Sequence, residues 1–337
     1  MDIKDFIFGM PKAELHVHLE GALEPELLLS IAQRNNVVLP YKSIDELKKA
    51  YAFKNLQNFL DLFYQATLVL QTERDFYDLT MAYLTKARSQ GVLYAEIFFE
   101  TQTYAQRGIA ASVLIAGITQ AFDDAYKTLG ISAKLILCFL REREEREAIA
   151  ALEQILPYKE NIVAVGLASA ERDNPPEKFK HVFALVRKHG FFVTIHAGEE
   201  GPAEYVCQAL DVLHADRIDH GIHALDDTTL VGELASRQVP LTLCPFSNFR
   251  LGVVKNMQNY PLKKMMDAGL LVSINSDDPA YFGGYIADNY LAMMQALKLS
   301  RENIIQLAKN SFVSSFLPAE EKQKMLEKVA QYTRENT

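Results

Sequence analysis

The chain has 337 residues, 49% of them hydrophobic and 23% charged, which is typical of a folded protein with a large core. Its formal net charge of -8 disfavours nucleic acid or an anionic membrane as a partner. No apolar run of about 18 residues is present, and the N-terminal stretch carries charges inside its apolar part, where a signal peptide has none. The three cysteines are scattered along the chain. We therefore expect a cytoplasmic protein.

Short apolar runs alternate along the chain with longer amphipathic stretches. Most of these runs are rich in Val, Ile, Leu and Phe, as expected for parallel strands that are covered on both faces. The eight runs are 14–19, 92–99, 132–139, 162–168, 191–196, 216–221, 239–244 and 270–275. Eight β-then-α units predict a closed (β/α)8 TIM barrel, and an open doubly wound sheet is the alternative.

Helical spacing of apolar residues predicts helices over 109–128, 142–156, 177–189, 203–213 and 227–237. Gly130 is the expected C-cap of the first of them. A further helical segment over about 41–88 separates the first two strands, and we expect it to cover the barrel mouth. The stretch 300–337 predicts two terminal helices, and residues 1–337 are interpreted as a single domain.

The first strand carries two histidines, His16 and His18. Residues two apart on a strand point to the same side, so both imidazoles face the barrel axis. The flanking apolar residues predict a buried site, and two buried imidazoles need a partner such as a divalent metal ion. Two polar residues on a half-exposed strand are the alternative.

Further polar residues stand where three later strands end. His196 ends strand five and Glu199 follows it closely, whereas His220 ends strand six. Asp277 and Asp278 follow strand eight and repel each other unless cations or hydrogen bonds compensate them. Taken singly, each has a plainer explanation, such as an N-cap role for Asp278.

Together these residues converge, because the carboxyl ends of barrel strands meet at one rim. The sequence therefore predicts a metal site made of histidine and aspartate. Nitrogen and oxygen ligands without a thiolate suit one Zn²⁺ per chain, and iron, manganese and cobalt remain alternatives.

Four short motifs, HVHLEG (16–21), HAGE (196–199), DHG (219–221) and SDDP (276–279), resemble those of the adenosine/AMP deaminase family of the amidohydrolase superfamily, in the family's order. The resemblance covers nearly the whole chain. The stretches 11–28, 196–202, 244–248 and 275–285 are most similar to the subgroup that deaminates free adenine.

The resemblance implies a zinc enzyme that hydrolyses adenine to hypoxanthine and ammonia, as in purine salvage. The implied zinc ligands are His16, His18, His196 and Asp277. By the same resemblance, Glu199 donates a proton to purine N1 and His220 orients and helps deprotonate the attacking water. Asp278 is the implied partner of purine N7.

Two segments depart from the adenine subgroup. An expected Asp after strand four is Ala168, and an F-D-P-Q-T-H-T stretch reads FETQTYA over 99–105. Loops at this rim set specificity, so adenosine or an N6-substituted adenine remains an alternative substrate. We expect Tyr281 and Phe282 to wall the site against ribose.

A non-catalytic barrel that binds a metal or a purine is the alternative of another class. We expect a small purine base as the partner, rather than nucleic acid or a membrane. The sequence is also compatible with a homo-oligomer.

Overall fold

The computed structural model of the chain describes residues 1–41 and 43–336. Lys42 and Thr337 belong to the predicted insertion and tail and lie outside the described residues. Eight strands coincide with the eight apolar runs, within two residues at each end. They are β1 (Lys12–His18), β2 (Val92–Phe99), β3 (Ser132–Leu140), β4 (Ile162–Ala168), β5 (Phe192–Ala197), β6 (Arg217–His220), β7 (Pro240–Leu243) and β8 (Leu271–Ile274).

Helices follow or connect these strands, and short 3-10 segments join some of them. The helices are α1 (Ile3–Gly9), α2 (Pro25–Arg34), α3 (Ile44–Ala50), α4 (Leu56–Ala66), α5 (Glu73–Ser89), α6 (Gln102–Gln106), α7 (Ala111–Leu129), α8 (Glu145–Ile155), α9 (Lys180–Lys188), α10 (Ala203–Asp211), α11 (Thr228–Arg237), α12 (Pro245–Arg250), α13 (Leu262–Asp267), α14 (Pro279–Phe282), α15 (Ile286–Leu297), α16 (Arg301–Val313) and α17 (Ala319–Asn336). Among the described residues, none of these helices is long and apolar enough to cross a membrane.

The strands form one parallel sheet in the order β1 to β8, which confirms the predicted TIM barrel. The predicted helices between the strands are present because their apolar faces pack on the outer side of the sheet. Gly130 ends α7 with a φ of 66°, a left-handed conformation that glycine adopts without steric cost. It is therefore the predicted C-cap.

The barrel closes where β8 meets β1. A bridge joins Val17 to Asp277, whose N–H donates to His16 O and whose carbonyl accepts from His18 N–H, both at 3.0 Å. Side chains complete this seam, since Glu14 accepts bonds from the Ser276 N–H at 2.9 Å and from the Ser276 hydroxyl at 2.6 Å. The closing contact thus holds three of the predicted metal ligands.

Most buried apolar side chains lie between the strands and the surrounding helices. A smaller apolar cluster stands apart from that core and is formed by Phe98, Ile136, Cys138, Ala164 and Ala168. Its Phe98 ring lies 5.1 Å from His16 and 4.9 Å from His18, between ring centroids. The predicted site therefore rests against an apolar wall contributed by β2, β3 and β4.

Candidate active site and metal centre

The four predicted metal ligands converge at the carboxyl ends of the strands. Asp277 Oδ1 lies 3.3 Å from His16 Nε2 and 3.5 Å from His18 Nε2. His18 Nε2 lies 3.3 Å from His196 Nε2. Strands β1 and β5 and the turn after β8 thus bring three nitrogens and one oxygen together.

The chemistry of these groups fits a divalent cation. His16 Nε2 is buried without a hydrogen-bond partner, which leaves its lone pair available. Burial lowers the pKa of His18 to about 3, and burial followed by the neighbouring His16 lowers the pKa of His196. The imidazoles of His18 and His196 are therefore neutral at physiological pH, the state in which histidine binds a metal.

A buried carboxylate, Asp219, lies behind the histidines. Thr242 donates to Asp219 Oδ1 at 2.9 Å and lies 2.9 Å from His16 Nδ1. Because the Thr242 hydroxyl proton points to Asp219, its oxygen accepts the His16 Nδ1–H and leaves Nε2 free. Asp219 Oδ2 lies 3.4 Å from His196 Nδ1. Burial alone would raise the pKa of Asp219, but the adjacent His196 and His16 hold this pKa well below its ordinary range.

The predicted catalytic pair is also assembled. Glu199 Oε2 lies 3.5 Å from His220 Nε2, which is 3.8 Å from Asp277 Oδ2. Asn248 joins them, because its amide nitrogen lies 3.3 Å from both Glu199 Oε1 and His220 Nδ1. Burial first, and the charge of Asp277 next, raise the pKa of Glu199 well above its ordinary value. Glu199 is therefore suited to carry a proton at neutral pH.

Two of these residues have an unfavourable backbone conformation. His220 has a φ of 64° and Asp277 a φ of 65°, in the left-handed region that non-glycine residues rarely adopt. Each such conformation reduces the stability of the fold by about 1–3 kcal/mol, and it persists only where the surrounding structure enforces it. Enforced conformations of this kind cluster at functional sites.

A single carboxylate holds the turn that carries Glu199. Glu171, which follows β4, accepts backbone N–H bonds from Gly198 at 2.7 Å, Glu199 at 3.0 Å, Glu200 at 2.7 Å and Gly201 at 2.8 Å. A Cβ on Gly201 would lie 2.6 Å from the Glu171 carboxylate, so glycine is required there. The sequence around Glu171 carries no local pattern that predicts these four bonds.

Asp278 lies beside the metal ligands with a free oxygen. Asp278 occupies the N-cap position of α14, as the alternative expects, but its side chain makes no capping hydrogen bond and its Oδ1 is buried without a partner. Burial first, then the adjacent Asp277, raise the pKa of Asp278 well above its ordinary value. A Cβ on Gly21 would lie 2.0 Å from Asp278 Oδ1, so the glycine of the first motif makes room for this carboxyl group.

A thiol also approaches the site. The Cys244 sulfur belongs to a group with His16, His220 and Asp277, whose ligand atoms all lie within 4.8 Å of one another. Burial raises the pKa of Cys244 well above its ordinary value, so the thiol stays protonated. A protonated thiol is a poor metal ligand.

These groups open into a pocket with about 620 Å³ of empty space, its mouth included. Its lining combines the acids and histidines with apolar residues of α4 and the rim. The lining residues are His18, Glu20, Leu56, Phe59, Leu60, Phe63, Tyr64, Phe99, Glu100, Cys138, Leu140, Ala168, Ser169, His196, Glu199, His220, Leu251, Asp277, Asp278 and Phe282.

Of the two expected walls, only Phe282 lines the pocket. Tyr281 is buried behind it, with its ring 5.6 Å from Phe59 and 4.8 Å from Tyr51 between centroids. The expectation for Tyr281 is wrong because adjacent residues of a short helix point in different directions.

Comparison with known sequences agrees with this geometry. The family model described as adenosine deaminase matches residues 11–332. The chain is 54% identical over 321 residues to an adenine deaminase of Chlorobium phaeobacteroides, which spans 95% of this chain and 96% of that protein. It is 50% identical over 330 residues to an adenine deaminase of Hahella chejuensis, which spans 98% and 99%.

Solved structures share the fold. The crystal structure of an adenine deaminase from Arthrobacter aurescens matches with a TM-score of 0.95 at 45% identity, covering 96% of this chain and 99% of that one. An amidohydrolase from Burkholderia ambifaria with bound Zn matches with a TM-score of 0.90 at 25% identity, covering 99% and 96%.

Proposed function

Because the chain belongs to the adenosine deaminase family, we propose that it catalyses the hydrolytic deamination of adenine to hypoxanthine and ammonia. The observation that carries this proposal is the gathering of His16, His18, His196 and Asp277 beside a buried, proton-bearing Glu199. Relatives named adenine deaminase at 50% to 54% identity support the substrate.

We further propose that His16, His18, His196 and Asp277 hold one zinc ion per chain. The neutral imidazoles of His18 and His196 and the unpartnered His16 Nε2 support this ligand set. The related Burkholderia amidohydrolase contains Zn. When bound, zinc acidifies water toward a pKa of about 7 and so supplies a nucleophile at neutral pH.

Glu199 supplies the proton that the purine ring needs. Attack of water oxygen on C6 moves electron density onto N1, which is a poor place for charge in a dry pocket. The raised pKa keeps Glu199 protonated, so it donates to N1 as the C6–O bond forms. C6 thereby becomes tetrahedral without leaving a negative charge on N1.

His220 orients the attacking water and takes up its first proton. Burial first, and His16 next, hold the pKa of His220 well below its ordinary value, so it passes this proton on. The proton reaches the 6-amino nitrogen, and the C6–N bond breaks with its electron pair leaving on ammonia. The second water proton returns to Glu199, which completes the proton balance.

Asp278 holds the imidazole edge of the base. Its raised pKa keeps it protonated, so it donates to the N7 lone pair. The free Asp278 Oδ1 supports this role, because a buried polar atom without a partner is costly unless a ligand satisfies it.

The test is a substrate panel with metal analysis. We expect the metal-loaded protein to release ammonia from adenine faster than from N6-methyladenine, adenosine or AMP. Faster turnover of adenosine would refute the adenine assignment. Glu199→Gln should keep its metal and lose about 10²–10⁴-fold in kcat, whereas Glu200→Gln, on the same turn, should stay near wild type. A fully active Glu199→Gln would refute the proton-donor role.

A further inference from the structure

Two more carboxyl groups line the pocket, and neither takes part in the steps above. Glu20 follows β1 and accepts a hydrogen bond from the Tyr104 hydroxyl at 3.0 Å. Glu100 follows β2 and accepts the Thr103 N–H at 2.9 Å, while the Thr103 hydroxyl donates to its other oxygen. Both are buried, and Thr103 fixes the orientation of the Glu100 carboxyl.

The order of strands around the rim places these acids relative to the substrate. Around the rim, the acids stand in the order Asp278 after β8, Glu20 after β1 and Glu100 after β2. Strands β3 and β4 follow, and Glu199 comes after β5. The perimeter of adenine, read from N7 to N1 away from C6, runs through C8, N9, C4, N3 and C2. If N7 contacts Asp278 and N1 contacts Glu199, the edge of the base that carries N9 and N3 faces the part of the rim where Glu100 lies.

We propose that Glu100 is a specificity-determining residue that pairs with the N9–H and N3 edge of a free purine base. This inference rests on the proposed function and deepens it, because it names the substrate class as bases without a substituent on N9. Each Glu100 oxygen keeps a lone pair beyond its Thr103 bond, since a carboxyl oxygen accepts two bonds.

The protonation of Glu100 supports the pairing. Burial first, and the neighbouring Glu20 next, raise the pKa of Glu100 to about 8. A neutral carboxyl group presents a carbonyl acceptor and a hydroxyl donor side by side. Adenine presents the complementary pair, an N9–H donor next to the N3 acceptor.

The rest of the lining argues against larger substrates. A substituent on N9 removes the donor, so the lone pair of a buried Glu100 oxygen that Thr103 does not use stays unsatisfied, which is costly. Sites that hydrogen-bond a substrate N–H can reject analogues lacking it by about 10⁴–10⁵-fold. Within the described chain, neither lysine nor arginine lines the pocket to receive a nucleotide phosphate.

The experiment compares adenine with 9-methyladenine, which differs at the proposed contact. For wild type we expect kcat/KM to favour adenine by at least about 10³-fold. Glu100→Leu should reduce this preference at least tenfold, and Glu100→Gln should restore most of it, because an amide also offers an acceptor beside a donor. Glu142→Gln is the matched control, an exposed rim acid outside the pocket.

Calorimetric binding of the same two bases in the Glu199→Gln background measures the contact without turnover. Retained metal content and an unchanged unfolding midpoint show that the Glu100 variants fold. If folded Glu100→Leu keeps the wild-type preference for adenine over 9-methyladenine, the inference is overturned. An equally large loss of this preference in Glu142→Gln overturns it as well. If wild type fails to deaminate adenine, the proposed function is refuted, and the binding preference still decides the role of Glu100.

Discussion

The four backbone bonds to Glu171 make its replacement by glutamine a sharp test of how Glu199 is positioned. The amide oxygen can keep the bonds from Glu199, Glu200 and Gly201 but loses the charge. Charged acceptors contribute about 1.5–3 kcal/mol per bond and neutral ones about 0.5–1.5 kcal/mol, so these three bonds lose about 3 kcal/mol together.

The amide nitrogen then faces the Gly198 N–H, which costs about 1–3 kcal/mol as a buried unsatisfied donor. Because neighbouring contributions are not additive, we expect Glu171→Gln to lower the free energy of unfolding by about 3–5 kcal/mol. A shift of the turn by about 1 Å costs about 10²-fold in rate, so kcat should fall by about that factor with little change in KM.

Steady-state kinetics, metal analysis and denaturant unfolding measure these effects together. The control is Glu200→Gln, which breaks only an ion pair of 3.1 Å with the exposed Arg172 and should cost at most about 1 kcal/mol. If Glu171→Gln is destabilised but keeps its kcat, Glu171 supports the fold without positioning Glu199. If its stability is unchanged, the reasoning from the four bonds is wrong.

Three further predictions concern the metal support, the proton donor and the pocket wall. Asp219→Asn should weaken zinc binding by about 10–100-fold in a chelator competition, because Asp219 orients His16 and His196; an unchanged affinity would exclude that role. Because the proposed role of Glu199 requires its protonated form and its pKa is raised, kcat/KM should persist well above the ordinary carboxyl pKa of about 4.3 and decline as pH rises through the raised value. A decline already at pH 4–5 would contradict this assignment. Phe282→Ala should increase the rate with adenosine relative to adenine, whereas Tyr281→Ala should not, because only Phe282 lines the pocket; equal effects would show that the wall lies elsewhere.

The sequence predicts the barrel well because buried parallel strands appear in it as short, mostly apolar runs. The run 162–168 is apolar throughout and the run 92–99 is apolar except for Glu96, and they match β4 and β2 at both ends. The convergence of His16, His18, His196 and Asp277 is also predictable, because strand ends of a barrel meet at one rim.

Contacts between distant segments are harder to predict. The bonds that the turn after β5 donates to Glu171 depend on the pairing of β4 with β5. The position of the Asp219 carboxylate behind the histidines depends on the register of β6 against β5, in which Asp219 pairs with His196. Which of Tyr281 and Phe282 faces the pocket depends on how the four-residue α14 packs. Residue type and spacing do not specify these three-dimensional relations.

The seam between the first and last strands has a consequence for biosynthesis. His16 and His18 leave the ribosome early, but their partner Asp277 is made 259 residues after His18. At about 5–20 residues per second, roughly 10–50 seconds pass before the four proposed ligands can meet. The proposed zinc site therefore cannot form on a nascent chain until translation is nearly finished, so that metal loading at this site would follow closure of the barrel instead of guiding it.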